Sequence, residues 1–475
     1  MKGLTQCMAS RIEKRPMLVE LRSSTWFITL AVCMAIFTDM FLYAVIVPVF
    51  PFSLAERLHV PENDAQHWMS VLLSVYGAAL LLGAPIFGFL ADRLEYRRTP
   101  LLIGLVALGG STLTICLARS LSVLIVGRVL QGFSASITWV VGLTLLADTA
   151  KKDSVAQSFG YVGAASSLGT VIAPVLGGII YHNVGYYPVF AMCFALVAID
   201  ILLRLTIIEK KSAAKWLQLS HVNIPQWNAA EPAVVEILAL QMLDDNTSHD
   251  ITIADPIVSG SSPENNKKKK LPAILSLWKS PRMLAAFWGD FATATVMVAF
   301  DTTLALFVNR TFHWSSLQAG LTFLALLLPT FLGPVLGIAA DKYGARWISV
   351  FGLIFMIPPL ILLRLVNHES INQIVLLCAL LLLTGLGAAM ALTGLYAEYS
   401  KICDAIEAKH PGSLGNNGGY AQSYGISEIA WALAGLVGPL MAGRIYQTAG
   451  WGTLGWSLSL LCVVTVIPTL LFINR

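Results

Sequence analysis

A few acidic side chains lie within long apolar stretches of this sequence, where they could exchange protons or bind a cation. Asp39 has no basic residue within one helical turn on either side, and Glu428 lies well inside another apolar stretch. A charge in the hydrocarbon core costs about 2.5–3.5 kcal/mol on insertion scales, so acids there are usually functional or paired. We therefore predict that Asp39 and Glu428 bind protons or substrate. The alternative for each is a protonated or hydrogen-bonded acid with a structural role.

Two further acids and one arginine extend this set. Asp301 lies nearer the end of its apolar stretch, where simple hydration is an equal alternative to a role in binding. Asp290 lies nearer the other end of that stretch, and we predict a structural role for it. Arg128 and Gln131 are three residues apart, which places them on one face of a helix. Arg128 is predicted to hold a carboxylate in one conformation and release it on protonation, the alternative being a structural clamp between helices.

The other residue types leave proton exchange to the carboxylates. No His lies deep within an apolar stretch, and the seven Cys form no CxxC or Cys/His cluster, so no metal site or cofactor is predicted. The sequence Asn309-Arg310-Thr311 is a predicted glycosylation site. Aromatic residues near the acids could line an amphipathic cavity, although such residues more often pack against neighbours: Tyr43, Trp139, Tyr161, Phe300 and Trp431.

These residues belong to a chain that is too apolar for a water-soluble protein. Of its 475 residues, 56% are hydrophobic and 12% are charged, whereas soluble proteins have about 25% charged residues. A helix needs about 20 apolar residues to cross a membrane. The sequence predicts an all-α membrane protein with twelve such helices, here called spans 1–12, at about residues 26–48, 68–91, 100–118, 121–147, 155–181, 186–207, 282–308, 315–340, 347–366, 372–397, 419–446 and 451–473.

The predicted spans form two groups of six, within residues 26–208 and 281–475, after a tail at residues 1–25. Residues 209–280 are polar and contain four consecutive lysines from Lys267. Such a segment buries too little apolar surface to fold alone, so we predict a largely disordered linker. Basic residues concentrate in the tail, in the linker and in the loops after spans 2, 4 and 8. This distribution predicts that both termini and the linker are cytoplasmic.

The two groups of spans repeat the same residue patterns. Spans 2 and 8 share one pattern at equal spacing, with Pro85, Gly88, Ala91 and Asp92 in the first and Pro334, Gly337, Ala340 and Asp341 in the second. Spans 5 and 11 share another, with Gly160, Gly169, Pro174 and Gly178 in the first and Gly425, Ala434, Pro439 and Gly443 in the second. Internal repeats in the same helix order are typical of transporters with two parallel halves.

Several segments carry a resemblance to a known family. The segment from Gly88 to Arg98 resembles the loop 2–3 signature of the major facilitator superfamily, with Glu95 where Gly is usual. Arg128 to Gly132 resembles its helix 4 signature, and residues 160–178 resemble the helix 5 signature of its proton-coupled antiporters. Asp39 with the sequence after it, and residues 424–430, are similar to the drug:proton antiporter branch that includes vesicular amine transporters and fungal-type efflux transporters.

The resemblance implies a fold of two pseudo-symmetric six-helix bundles and two further sets of residues. The acid that vesicular amine transporters carry in helix 10 has no counterpart in the sequence from Gly387 to Met390. A cytoplasmic latch that stabilises the outward-facing state is implied for Gly88, Asp92, Arg93, Arg98, Asp148 and Asp341. A helix-packing signature that seals the halves against leak is implied for Gly160, Gly169, Pro174, Gly177, Gly178, Gly438 and Pro439.

The expected function is secondary active transport rather than enzymatic catalysis. We expect proton-coupled antiport, as efflux or organelle sequestration, of a small organic amphipathic or cationic compound such as a drug, amine or secondary metabolite. The alternatives are a uniporter or proton symporter for nutrient uptake, and a transport-inactive receptor or scaffold. The expected partners are the substrate, protons and the lipid membrane, with no nucleic acid, for a monomer. The plasma membrane is the expected location, with a vacuolar or other organelle membrane as the alternative.

Overall fold

The computed structural model describes residues 18–93, 97–149, 155–208, 213, 277–409 and 420–473. Within them, side chains are not described at residues 62, 63, 88, 89, 91–93, 147, 148, 155–159, 334, 341, 420 and 421. The chain divides into two compact units, one with residues 16–210 and 271–475 and one with residues 1–15 and 211–270. The first unit contains every span. The predicted linker lies almost entirely outside the described residues, so its predicted disorder stays a prediction.

Six helical spans make up the N-terminal half. Span 1 consists of two helices that meet at Val45, and it ends at Leu58 rather than near residue 48 as predicted. Pro48 lies in the first turn of the second helix, where its missing N–H would have had no helical partner, so it begins a new helix instead of ending the span. The helices are Thr25–Ala44 and Ile46–Leu58 for span 1, then Glu62–Arg93, Arg98–Cys116, Leu121–Thr149, Val155–Val184 and Tyr186–Thr206 for spans 2–6.

The C-terminal half contains the remaining spans. Span 10 continues to Lys409, well past its predicted end near residue 397. The helices are Pro281–Phe312 for span 7, Ser316–Leu327 and Gly333–Tyr343 for span 8, Ala345–Leu362 for span 9, Ile371–Lys409 for span 10 and the continuous stretch Tyr420–Phe472 for spans 11 and 12. Short 3₁₀ turns, Leu328–Leu332 and Leu363–Leu365, lie within span 8 and at the end of span 9.

Ten helices of the described chain are long and apolar enough to cross a membrane, and the two remaining spans are explained by local geometry. Span 8 is interrupted by its 3₁₀ turn, because Pro329 has no N–H to continue the α-helical pattern. Spans 11 and 12 are separated only by Gly450, whose φ of 80° is readily adopted by Gly alone. The described residues contain no strand. The predicted all-helical fold with two six-helix halves is confirmed.

The two ends of the spans are identified by their contacts. At one end, Arg22 Nε donates to Thr206 O at 2.5 Å and Arg98 Nη2 donates to Leu205 O at 2.6 Å, which joins the starts of spans 1 and 3 to the end of span 6. We call this the inner end. At the outer end, Arg57 Nη2 donates to Tyr187 OH at 3.1 Å. That the inner end faces the cytoplasm remains a prediction from the basic residues.

Small residues set how closely the spans pack. In the N-terminal half, a Cβ on Gly169 of span 5 would lie 2.7 Å from Phe37 O of span 1. In the C-terminal half, a Cβ on Gly438 of span 11 would lie 3.6 Å from Thr295 O of span 7. Because apolar burial cannot drive association between helices in lipid, such close contacts supply much of the packing energy. The halves touch chiefly through two pairs, span 2 with span 11 and span 5 with span 8.

Candidate functional site

Asp39 lies near the middle of span 1, in the last part of its first helix, and is only 1% exposed. Its Oδ2 accepts a hydrogen bond from Trp139 Nε1 of span 4 at 3.1 Å. Its Oδ1 is buried and has no hydrogen-bond partner. A buried carboxylate in this position is costly unless it takes up a proton or binds a cation. The structure thus brings together two predicted site residues that the sequence could not relate.

Arg128 is fully buried beside this acid, but it does not form an ion pair with it. Its Nη1 donates to Gln131 Oε1 at 2.7 Å, and its Nε donates to Leu72 O of span 2 at 3.2 Å. The guanidinium lies over the rings of Tyr76 and Tyr43, at 4.7 and 5.5 Å from their centroids. Cation–π contacts of this kind stabilise a desolvated cation. In this conformation Arg128 holds no carboxylate, so its predicted switching role stays a prediction.

A second acidic cluster lies in the C-terminal half, around Asp290 of span 7. Asp290 is fully buried. Its Oδ2 accepts hydrogen bonds from Ser427 Oγ of span 11 and from Tyr399 OH of span 10, the latter at 3.3 Å. Its Oδ1 is buried with no hydrogen-bond partner. Nearby, Trp431 Nε1 donates to Tyr396 OH at 3.0 Å. Sequence reasoning had assigned Asp290 a structural role and had not related it to span 11.

Asp301 joins the two halves. Its Oδ2 accepts a hydrogen bond from Tyr43 OH of span 1 at 3.2 Å. Asp301 and Asp290 are eleven residues apart, close to three helical turns, so both face the same side of span 7. Phe300 points elsewhere: it is 1% exposed and packs edge-on against Trp451, with ring centroids 6.1 Å apart. Of the predicted cavity aromatics, Phe300 therefore lies in an apolar core, whereas Tyr43, Trp139 and Trp431 lie beside polar groups.

The interface between the halves is closed at its outer end. Gln66 Nε2 of span 2 donates to Thr302 O of span 7 at 3.1 Å. Ser316 Oγ of span 8 donates to Gly178 O of span 5 at 3.3 Å. A Cβ on Gly178 would lie 2.4 Å from Ser316 O, and a Cβ on Gly320 would lie 2.4 Å from Pro174 O. Only Gly permits this approach of two backbones, so the outer contact is direct and tight.

Toward the inner end, the same face of span 5 is uncovered. Val171 packs in an apolar cluster with span 7. Ala164 lies two turns further inward on that face and is exposed. No described atom lies within 4 Å of a Cβ built on Gly160, which is five turns inward of Gly178. The halves are therefore in direct contact at the outer end, and a cleft borders this face of span 5 toward the inner end. The inner ends are not fully separated, because Tyr424 of span 11 packs against the apolar cluster of the N-terminal half that includes Ile28 and Leu146.

Glu428 lies at the closed end of this cleft. Spans 2 and 11 touch where a Cβ on Gly77 would lie 2.3 Å from Gly435 C. Glu428 is two turns inward of Gly435 on the same face of span 11, and it is partly exposed. It lies within electrostatic range of Asp290 and Asp39. In the described part of the chain it has no hydrogen-bond or ion-pair partner, so its carboxylate is available to the cleft.

The predicted helix-packing residues other than Gly160 lie at contacts between spans, whereas a Cβ on Gly160 would meet no described atom within 4 Å. Gly169 and Gly177 of span 5 face Phe37 and Val45 of span 1, and Pro174 and Gly178 of the same helix face span 8. In span 11, Gly438 and Pro439 occupy the stretch against span 7. Whether these contacts limit leak stays a prediction.

Most residues of the predicted cytoplasmic latch lie at positions for which the structure describes only the backbone. Gly88, Asp92, Arg93, Asp148 and Asp341 have helical backbone, but their side chains lie outside the described residues. Arg98 donates to Leu205 O within its own half.

Sequence reasoning missed two buried ion pairs. Arg204 of span 6 binds Asp200 through Nε and Nη2 at 3.2 and 3.1 Å, and its Nη1 donates to Leu101 O at 2.8 Å. The spacing of four residues was a readable signal for this pair. Arg282 Nε of span 7 donates to Glu398 Oε1 of span 10 at 2.8 Å, beyond the predicted end of that span. Within the described residues, no group of His, Cys, Asp and Glu could hold a metal ion.

The predicted glycosylation site lies at the outer end, between the halves. Asn309, Arg310 and Glu56 line a cavity of about 170 Å³ there. Asn309 Nδ2 donates to Trp314 O at 3.0 Å, so a glycan on this nitrogen would displace that hydrogen bond. Glycosylation stays a prediction.

Comparison with known proteins identifies relatives along nearly the whole chain. The MFS-type transporter ppzB of Metarhizium rileyi is 32% identical over 465 residues, which is 95% of this chain and 96% of the relative. An uncharacterized MFS-type transporter of Schizosaccharomyces pombe is 33% identical over 454 residues, covering 94% and 95%. The vesicular acetylcholine transporter of Torpedo torpedo is 25% identical over 481 residues, covering 94% and 80%.

A solved structure and a family profile agree with these relatives. The crystal structure of the human organic anion transporter MFSD10 matches with a TM-score of 0.60 at 17% identity, covering 94% of this chain and 99% of that one, which supports the fold alone. The profile of the Major Facilitator Superfamily matches residues 32–328 and 286–475. Two six-helix halves around an acidic cleft, relatives along the whole length and a matching profile lead to one conclusion: the chain belongs to the Major Facilitator Superfamily, a family of membrane transporters rather than enzymes.

Proposed function

We propose that this transporter exchanges protons for a small organic cation or amphipathic compound by alternating access. The observation that carries the proposal is that two acids without an ion-pair partner lie near one another at the closed end of the cleft. Glu428 of the C-terminal half and Asp39 of the N-terminal half lie within electrostatic range of one another. Neither forms an ion pair in the described part of the chain, although Arg128 and Arg204 lie within electrostatic range of Asp39. Two such carboxylates in a low-dielectric site need either protons or a cationic substrate to neutralise them.

Competition for the same carboxylates produces exchange rather than cotransport. A proton that binds to Asp39 or Glu428 removes the charge that attracts a cation, and a bound cation opposes protonation. When the cleft opens alternately to the two sides of the membrane, the site carries a proton in one direction and the cation in the other. Alternating access in two-fold repeated transporters proceeds by movement of one half against the other around a central site.

The composition of the cleft supports a cationic or amphipathic substrate. Glu428 and Asp39 lie in electrostatic range of one another at its closed end, whereas the buried arginine beside Asp39, Arg128, is already in contact with two aromatic rings and a glutamine. Aromatic side chains such as Trp139 and Trp431 offer π faces near the acids, and such faces bind ammonium groups well. One relative is named for acetylcholine, a small quaternary ammonium compound, which is consistent with this substrate class.

Transport in proteoliposomes tests the proposal. With a pH gradient imposed, we expect uphill accumulation of a cationic amphipathic probe such as ethidium, with opposite proton movement reported by a pH-sensitive dye. Asp39→Asn and Glu428→Gln mimic the protonated acids and should abolish accumulation. Asp404→Asn is the matched control, because it removes one negative charge from an exposed position at the inner end of span 10. Gradient-driven accumulation that survives in Asp39→Asn would refute the role of this acid.

The same assay separates the alternatives. A uniporter equilibrates its substrate regardless of pH, a symporter moves protons in the same direction as substrate, and a receptor or scaffold moves neither. An untargeted comparison of metabolites inside and outside cells, with and without the protein, accompanies the probe experiment and identifies the natural substrate. The predicted cytoplasmic termini, monomeric state and plasma-membrane location belong to the proposal and are tested by protease protection, light scattering and imaging of tagged protein.

A further inference from the structure

Two of the buried acids that the structure describes form an ion pair with an arginine, and Asp290 does not. Asp200 is paired with Arg204, and Glu398 is paired with Arg282. A buried ion pair satisfies each charge, whereas removing one partner leaves a charge whose burial costs several kcal/mol. The chain thus neutralises structural acids with arginine. Asp290 has hydroxyl donors on Oδ2 and nothing on Oδ1, so no side chain neutralises it.

The groups that face Asp290 include no cation. Tyr399 and Tyr396 approach it from span 10, and Ser427 and Glu428 approach it from span 11. The cation nearest in sequence on its own helix, Arg282, lies two turns inward and is bound to Glu398. Two hydroxyl hydrogen bonds orient a carboxyl group but do not supply the missing positive charge. A proton on Asp290 or on its acidic neighbour supplies it.

Glu428 is that neighbour, and it connects the buried site to the cleft. Ser427 donates to Asp290, and the next residue in the chain, Glu428, is partly exposed at the closed end of the cleft. Asp290 and Glu428 form no hydrogen bond to each other, and Asp39 of the N-terminal half is also within electrostatic range of Glu428. Because nearby carboxylates repel, ionisation of Asp290 opposes ionisation of Glu428. The protons of such a pair belong to the pair rather than to either residue.

We propose that Asp290 and Glu428 form a coupled carboxylate pair that together holds one proton, and that this pair is a proton site of the C-terminal half, with Asp39 as a distinct acid of the N-terminal half. Glu428 exchanges the proton with the cleft, and Asp290 sets how firmly the proton is held. The use of this site in transport rests on the proton-coupled function proposed above. The binding of a proton to this pair does not rest on that function, because it is a property of the protein in the absence of transport.

Carbodiimide labelling tests the pair without substrate or gradient. Dicyclohexylcarbodiimide modifies protonated carboxyl groups in apolar surroundings, and peptide mass spectrometry of the full-length protein in lipid nanodiscs locates the label. In the wild type, labelling of Glu428 should persist into the alkaline range. In Asp290→Asn the repelling neighbour is gone, so half-maximal labelling of Glu428 should occur at a proton concentration about tenfold higher, which corresponds to about 1.4 kcal/mol.

Asp404→Asn is the charge-matched control, since Asp404 is exposed on span 10 and its loss should leave the labelling curve of Glu428 in place. Equal curves for the wild type and folded Asp290→Asn overturn the proposal. If Asp290→Asn does not fold, Glu428→Gln gives the answer from the other side: the carboxylic-acid band in infrared difference spectra should then titrate at lower pH than in the wild type. A band that Glu428→Gln leaves unchanged also overturns it.

The outcomes separate the two proposals. If the wild type shows no gradient-driven transport but Asp290→Asn shifts the labelling of Glu428, the pair exists and the proposed function fails. If transport depends on Asp39 but labelling does not shift, proton coupling holds and the pair fails.

Discussion

Substituting Gly178 by Ala should shift the protein away from the conformation described above. The outer contact brings span 5 so close to span 8 that a Cβ on Gly178 would lie 2.4 Å from Ser316 O. Ordinary contacts of a Cβ begin near 3.4 Å, so the two backbones would have to separate by about 1 Å. Both atoms of this clash are held by helices, so the strain cannot be relieved by rotating a side chain.

The magnitude follows from the cost of overpacking. One extra methyl group in a tightly packed contact costs about 1–3 kcal/mol, and each 1.36 kcal/mol changes a population ratio tenfold. The penalty applies only while the outer end is closed. The gain in helix propensity from Gly to Ala is the same in both conformations and cancels. The ratio of outer-open to outer-closed molecules should therefore rise by about 5- to 150-fold.

Labelling of a cysteine in the outer contact measures this ratio. Ser70 is 4% exposed and lies against Gly443 of span 11, so Ser70→Cys should react with a membrane-impermeant maleimide only when the outer end opens. The experiment uses a background in which the seven native cysteines are replaced. The labelling rate should rise with Gly178→Ala by the factor above. Gly320→Ala should act similarly, because its Cβ would lie 2.4 Å from Pro174 O.

Gly110→Ala is the matched control. It introduces the same chemical change in span 3, where no described atom lies within 4 Å of the added Cβ. The reasoning is refuted if Gly178→Ala changes the labelling rate less than twofold in protein that unfolds at the wild-type temperature, or if Gly110→Ala raises the rate equally.

Two further predictions use the other contacts. Tyr43→Phe keeps the ring beside Arg128 but removes the hydroxyl bound to Asp301, so the loss of about 0.5–1.5 kcal/mol from the closed state should raise the labelling rate at Ser70→Cys about two- to tenfold; an unchanged rate would show that this bond does not help to close the outer end. Arg204→Met leaves Asp200 buried without its partner and should cost about 3–5 kcal/mol, seen as a lower temperature of thermal unfolding. The double variant with Asp200→Leu should recover most of that loss, and a double variant no more stable than the single one would contradict the role of the pair.

The sequence was sufficient for the fold because periodic apolar length is a local property. The number of spans, their order and the two repeated halves could all be read from it. The predicted helix ends were wrong where the same residue is compatible with two local structures. Pro48 could end a helix or begin one, and only the structure shows that it lies in a first turn. The extension of span 10 to Lys409 likewise depends on packing of its inner end, where Glu398 meets Arg282.

The site was predicted residue by residue but not as an arrangement. Asp39, Glu428 and Arg128 were identified because a charge in an apolar stretch needs a reason. Their partners could not be identified, because Trp139 is one hundred residues from Asp39 and the contact depends on how spans 1 and 4 cross. Asp290 was assigned a structural role for the same reason: its unpaired state becomes visible only when the absence of any neighbouring cation is seen in space.

Span 8 consists of two segments that can move separately. Its outer segment, Ser316–Leu327, is docked on span 5, whereas its inner segment, Gly333–Tyr343, packs against spans 9 and 10. Between them the 3₁₀ turn Leu328–Leu332 has already given up regular α-helical hydrogen bonds, so flexing there disrupts fewer bonds than elsewhere. The inner segment can therefore move together with spans 9 and 10 toward the N-terminal half while the outer segment stays docked. That sequence of events passes through an occluded state in which the cargo is cut off from both sides at once.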